Sequence, residues 1–133
     1  MPTQIRFLNP PTLSTPPANG YSHVVLVQGG RTAYISSQLG LDSSGQLLEG
    51  FEAQAMQAFE NLKLAIQAAN MTFEHLVKIN LFLTDMAHIQ MMRQVRDRFI
   101  NRETPPSSTL IGVAALAVPG AMFEVDAVAV APE

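Results

Sequence analysis

Between Phe51 and Thr84 the spacing of apolar residues changes period, and that change narrows the folds open to the chain more than any other feature. From Phe51 to Asn70, the residues Ala55, Met56, Phe59, Leu62, Ile66 and Ala69 recur at spacings of three and four, while Glu52, Gln57, Glu60, Lys63 and Gln67 lie mostly elsewhere around the wheel. That pattern predicts a helix packed by one stripe. In LVKINLFLT, residues 76–84, alternation is strict: Val77, Ile79, Leu81 and Leu83 share one face, and Leu76, Lys78, Asn80, Phe82 and Thr84 the other. The second face is mixed, which suits contact with a partner subunit better than contact with bulk water.

The flanking sequence fills in the remaining elements. Gln4–Leu8 reads as a short edge strand followed by a loop rich in Pro, Thr, Ser and Asn. SHVVLVQGGRTAYISSQLGL, residues 22–41, holds two β-branched and aromatic runs around Gly29-Gly30 and predicts a hairpin; DSSG at 42–45 predicts a turn. A second helix is expected over about Met86–Asn101, burying Ile89, Met92, Val95 and Phe99, and ended by Pro105 and Pro106. Two strands close the chain, STLIGVAALA and AMFEVDAVAVA, joined at Pro119-Gly120. Strands that first feed helices and later pair with one another predict an α+β fold, a mixed sheet with both helices on one face.

Composition sets further limits. A chain of 133 residues fits one domain spanning 1–133, with an apolar core that needs no metal or disulfide staple. Charged residues make up only 14%, against roughly 25% in ordinary soluble domains, too few to coat an isolated monomer generously, so an oligomer is expected. The absence of cysteine removes disulfide and thiolate chemistry and fits a reducing cytoplasm. MPTQIRFLNPPTLSTPP has no apolar run of signal-peptide length, and nothing approaches a membrane span, so a soluble cytoplasmic protein with no membrane partner is expected. A formal charge of −3 disfavours nucleic acid, which requires a concentrated basic surface. Arg93, Arg96, Arg98 and Arg102 fall within ten positions, and the plain account of them is a solvated helix face balanced by Asp97 and Glu103.

NGYSH, YISSQLGLDSSGQL, QAMQAFENLKLAIQAANMT, VKINLFLTDM and FEVDAVAV follow one another in an order that resembles the RidA family, also called YjgF or L-PSP proteins, from about Asn19 onward. The resemblance implies a bacillar, chorismate-mutase-like fold and a homotrimer whose sheets line a central barrel. It also implies three intersubunit clefts that bind small carboxylated metabolites. In the best understood members these clefts hydrolyse reactive enamines and imines, chiefly 2-aminoacrylate and its relatives, to a 2-oxo acid and ammonia.

Residue by residue, the resemblance transfers unevenly. Glu124 matches the glutamate that orients the attacking water and shuttles a proton, and a lone glutamate in so apolar a strand is costly to bury without a role. Asp126 follows two residues on, within reach of a paired-carboxylate arrangement or a plain salt link. Tyr21 matches the cleft-lining tyrosine, and Ser36 the serine of a Ser-Gly-Gln turn; Ser37 stands where that turn has glycine, narrowing the approach of a ligand, and Gln38 is retained. In PSSTLIGVAAL the family's carboxylate-gripping arginine is missing: Ser108 stands in its place, followed by Thr109, or Ser107 does if the match shifts by one, and neither restores a cation. A hydroxyl supplies neither charge nor planar fork. Arg93 stands where the family often has asparagine and Arg96 replaces a tyrosine one turn later; whichever of them turns inward is expected to hold the ligand carboxylate from the opposite wall, Arg93 being the first candidate.

Other chemistries find little support. His23, His75 and His88 have no metal-ligand spacing, no dinucleotide or phosphate loop is present, and no histidine-activated serine stands out, so neither metal nor cofactor is expected. Two readings remain in front: an enamine or imine deaminase of altered specificity, and a non-catalytic trimer that binds a metabolite in the same clefts. RNA cleavage or translation inhibition, older labels of the family, ranks third because of the acidic balance.

Overall fold

The computed structural model describes residues 2–16 and 20–133. Strands β1 (Gln4–Leu8) and β2 (Val24–Gln28) form a two-stranded antiparallel sheet, with Gln4 opposite Gln28 and Leu8 opposite Val24. Strands β3 (Arg31–Leu39), β4 (Leu76–Leu83), β5 (Ser107–Gly112) and β6 (Phe123–Ala131) form a mixed sheet in the order β3-β6-β4-β5. Only β4 and β5 run parallel within it. Helix α1 (Phe51–Ala68) links β3 to β4, and α2 (Ile89–Arg96) links β4 to β5.

The helix stripe and, from Ile79 onward, the strand alternation meet as their spacing requires; a register irregularity between Leu76 and Lys78 turns Leu76, rather than Val77, into the core. Ala55, Phe59, Leu62 and Ile66 of α1 form one core with Ile79, Leu81 and Leu83 of β4, Phe123, Val125, Ala127 and Ala129 of β6, and Met92 and Val95 of α2. Both helices therefore lie on one sheet face, as expected. Phe59 stacks between Phe99 and Phe123, with ring centres 5.3 and 5.6 Å away. Each such fully buried side chain contributes about 1.5–3 kcal/mol. Helix α1 closes on Asn70, which takes a left-handed φ of 56° while Met71 N–H donates back to Ile66 O at 3.1 Å.

Four expectations need correction. Gly29 and Gly30 do adopt positive φ, 73° and 87°, but β2 and β3 do not pair; the glycines turn the chain from one sheet into the other. A Cβ on Gly30 would sit 2.7 Å from Ala131 O, so the backbones there approach too closely for any side chain. The last two strands do not pair either: β6 inserts between β3 and β4, and β5 takes the outer position beside β4. Strand β5 stops at Gly112, well short of Ala117, because its ladder partner β4 ends at the paired Leu83. Helix α2 is shorter than Met86–Asn101, with a 3-10 turn at Met86–His88 before it, capped by Asp85 Oδ1 on Ala87 N–H, and turn bonds rather than helix carrying Phe99 to the core.

The opposite sheet face carries no helix. Lys78, Asn80, Phe82, Glu124 and Asp126 lie on it half-buried, and Tyr34 is 82% exposed. Its polar groups pair locally, Lys78 Nζ donating to Thr109 Oγ1 at 2.8 Å and Asn80 Nδ2 to Asp126 Oδ1 at 2.7 Å. Among the described residues, no helix is long and apolar enough to cross a membrane.

Candidate functional site

The hydroxyls at the start of β5 divide between structure and cavity. Pro105 and Pro106 have no N–H to offer, and their carbonyls are taken by Ser22: its Oγ donates to Pro105 O at 2.6 Å and its N–H to Pro106 O at 3.1 Å. This fixes the residue before it, Tyr21, over the β5 start. Ser107 Oγ donates to Val77 O at 3.1 Å, and Thr109 is occupied by Lys78 on the helix-free face. Alternation turns Ser108 the other way, toward α2.

There Ser108 lines a cavity of about 220 Å³ with Tyr21, Leu81, Met92, Arg93, Arg96 and Leu110. The first two of these, Ser108 and Tyr21, and Arg93 were expected to contact ligand, and the fold brings them together. Tyr21 also borders a more open space of about 410 Å³, lined by Asn9, Pro16, Gly20, Arg102, Glu103 and Pro105. The Tyr21 ring is held edge-on to His23, 5.5 Å away, and His23 Nε2 bonds Ser14 O at 2.6 Å. Asn19 of the NGYSH stretch lies outside the described residues.

The arginine run is not a solvated face throughout. Arg98 is exposed and sits 3.8 Å from Glu52, as a surface charge should. Arg96 is 4% exposed, its guanidinium beneath Gly20, where a Cβ would come within 3.4 Å of Nη2. Its Nε and Nη2 both donate to Asp97 Oδ1, at 3.1 and 3.0 Å, and Asp97 Oδ2 reaches Arg102 at 3.8 Å. Burial pulls the Arg96 pKa down, Asp97 opposes this, and the charges of Arg93 and Arg102 add to the depression. Arg93 is half-buried, and its side chain makes no hydrogen bond or ion pair among the described residues. The cavity thus has two arginines on its α2 wall and, among the described residues, no carboxylate in its lining.

The sequence left open whether Arg96 turns inward, yet a signal that it does was present. It lies four residues after Met92 and seven after Ile89, on the apolar stripe of α2, where a charge must be buried or turned.

The remaining expected residues lie elsewhere in one chain. Ser36 and Ser37 form an irregularity in β3, between Ile35 and Gln38, with Gln38 Nε2 on Ser36 O at 3.2 Å. Ser36 borders a groove against Ala65, Ala68 and Ala69 of α1. Glu124 pairs with Phe82 and Leu39 on the helix-free face, across the sheet from Ser108. The histidines are engaged singly: His75 Nδ1 accepts from Thr72 N–H, and His88 stacks on Phe51.

Comparison with known proteins places these residues in context. Residues 12–131 match the model of the family described as Endoribonuclease L-PSP. The chain is 37% identical over 122 residues to human 2-iminobutanoate/2-iminopropanoate deaminase, covering 90% of this chain and 86% of the human protein. It is 34% identical over 112 residues to protein DfrA of Myxococcus xanthus, 83% of this chain and 84% of that protein. The crystal structure of YyfB from Yersinia pestis, of the Rid protein family, superposes with a TM-score of 0.83 at 27% identity, over 96% of this chain and 98% of that one.

Proposed function

Because this chain belongs to the endoribonuclease L-PSP family, which includes the RidA and YjgF proteins, we propose that it binds a small carboxylated metabolite and hydrolyses a reactive enamine or imine to a carbonyl compound and ammonia. The observation that carries this reading is the convergence of Tyr21, Arg93, Arg96 and Ser108 on one cavity. Guanidinium groups from α2 take over the anchoring of a carboxylate that a serine on β5 no longer provides, so specificity shifts with the direction of the charge.

The chemistry needs a placed water and a proton carrier. Water adds to the imine carbon, the tetrahedral species loses ammonia, and the carbonyl remains. Glu124 is the acid suited to this, with Ser36, Ser37 and Thr109 as further ligand contacts. One chain holds Glu124 and the cavity on opposite sheet faces, so the reading requires them to meet across a seam between chains. A homotrimer with the mixed sheet faces turned inward, as a barrel, supplies both the seam and a cover for Tyr34, Phe82 and Ile111.

Release of 2-oxo acid from enzymatically generated 2-aminoacrylate is the direct test. Wild type is expected to exceed the uncatalysed rate and Glu124→Ala to fall back to it. Mixing Glu124→Ala with Arg93→Gln chains is expected to restore part of the rate, because mixed trimers hold some intact seams. A monomeric mass in solution, or no rate above background in the wild type, defeats the deaminase reading. Binding of carboxylates without turnover supports the second reading, a non-catalytic metabolite-binding trimer, which Ser108 favours by its lack of charge. RNA cleavage has less behind it, since Arg96 is buried and Arg98 is paired on the surface.

A further inference from the structure

Each arginine has two edges able to hold a carboxylate in a planar fork. Asp97 takes one edge of Arg96, through Nε and Nη2, and leaves the edge containing Nη1 without a hydrogen bond among the described residues. Arg93, one turn earlier on α2 and lining the same cavity, has its whole guanidinium available. Both arginines therefore line one space, with no carboxylate in its lining among the described residues. Leu81, Met92 and Leu110, with Tyr21 and Ser108, line the rest of it; the three apolar side chains are fit for a hydrocarbon spacer, which inorganic phosphate lacks. The volume of about 220 Å³ lies below the roughly 300–1,000 Å³ of drug-sized sites, so the spacer is short.

We propose that the cavity takes a short dicarboxylate, one end on the free edge of Arg96 and the other on Arg93. Resting on the deaminase reading above, this makes the substrate the imine or enamine of an acidic amino acid, hydrolysed to a 2-oxo diacid and ammonia. Arg96 is depressed first by burial, and the neighbouring charge of Arg93 on the same wall adds to it; a dianion relieves that repulsion more fully than a monoanion.

The test is titration calorimetry of the full chain with succinate and with butyrate, four-carbon chains that differ in the second carboxylate, at one ionic strength. Succinate is expected to bind about tenfold or more tightly than butyrate, the effect of one charge-assisted contact. Arg93→Gln, at a half-buried residue without partners, is expected to fold normally and to erase that ratio, and Arg93→Lys to retain part of it. Arg98→Gln, on the surface, is expected to leave the ratio unchanged. A ratio near one in the wild type overturns the dicarboxylate assignment, and so does an equal loss in Arg98→Gln, which would mark a general charge effect. Butyrate binding that weakens in Arg93→Gln would still leave the carboxylate site standing in that case, whereas failure of both ligands to bind sinks the site as well. Inorganic phosphate displacing succinate with higher affinity would also overturn the proposal.

Discussion

Arg96 and Asp97 are adjacent in sequence and clasp one another: two guanidinium nitrogens of Arg96 donate to a single oxygen of Asp97, at 3.0 and 3.1 Å, where the helix α2 ends. The arrangement holds a 4%-exposed cation at a cavity wall while leaving its Nη1 edge without a hydrogen bond among the described residues. A carboxylate with side-chain exposure of 26% stays hydrated enough to tether the arginine without neutralising the whole site, since it also attends to Arg102.

Removing that tether exposes its worth. Breaking a fully buried pair costs about 3–5 kcal/mol, and the partial exposure of Asp97 lowers the figure here to about 1–3 kcal/mol. Asp97→Ala is expected to shift the urea midpoint accordingly and to weaken carboxylate binding, as Arg96 loses its fixed direction. A change below about 0.5 kcal/mol, within ordinary surface variation, would show that Asp97 does not hold it.

Ser22 joins two distant segments at the site, 83 positions from Pro105 in sequence and 2% exposed. Ser22→Ala leaves the Pro105 carbonyl without its donor, at a cost of about 1–3 kcal/mol. Tyr21 then loses its anchor, so ligand affinity is expected to fall along with stability. Equilibrium unfolding and calorimetry on the same variant check both; an undiminished affinity would separate Tyr21 from the ligand.

How far the sequence foretold this depends on the range of the interaction. The stripe of Phe59, Leu62 and Ile66 and the alternation of Ile79, Leu81 and Leu83 were legible because one face of each element must be buried, whatever its neighbours. The pairing of β2 was not. Gly29-Gly30 announces a turn through its backbone freedom, but which strand lies alongside is decided by β1 on one side and β6 on the other, contacts about a hundred residues apart for β3. Tyr21, Arg93 and Ser108 were placed together through family resemblance, which left open whether Arg93 or Arg96 turns inward; the position of Arg96 on the apolar stripe was the sign that it does.

The DSSG turn offers a pH test. Asp42 Oδ1 accepts from Ser44 Oγ at 2.7 Å and from the N–H groups of Ser44 and Gln46 at 2.9 Å each. These bonds, the Ser44 hydroxyl foremost, hold its pKa below the ordinary 3.8. A group whose pKa is depressed on folding stabilises fully above the unfolded value, and that contribution is lost as pH falls through the folded value. Wild type is expected to melt higher than Asp42→Asn at neutral pH, with the gap closing below pH 3.8. A gap independent of pH would assign the effect to turn geometry alone.

The two departures from the family pattern on facing walls, Ser108 and Arg96, are expected to depend on one another. Ser108→Arg adds a third guanidinium to a cavity of about 220 Å³ that already holds two, so it both overfills and overcharges the space. Overpacking alone costs about 1–3 kcal/mol. Arg96→Tyr removes a buried cation but leaves Asp97 with Arg102 and the solvent, which softens its own cost. Combined, the substitutions return the cation to β5 and clear the opposite wall, so the double variant is expected to be more stable than the sum of the singles by about 0.5–3 kcal/mol, the range found for residues sharing a cavity. Urea unfolding of the four proteins measures this coupling. Additivity within about 0.5 kcal/mol would mean that positions 96 and 108 act in separate spaces. The serine at 108 would then not be what leaves room for the Arg96 guanidinium in the cavity.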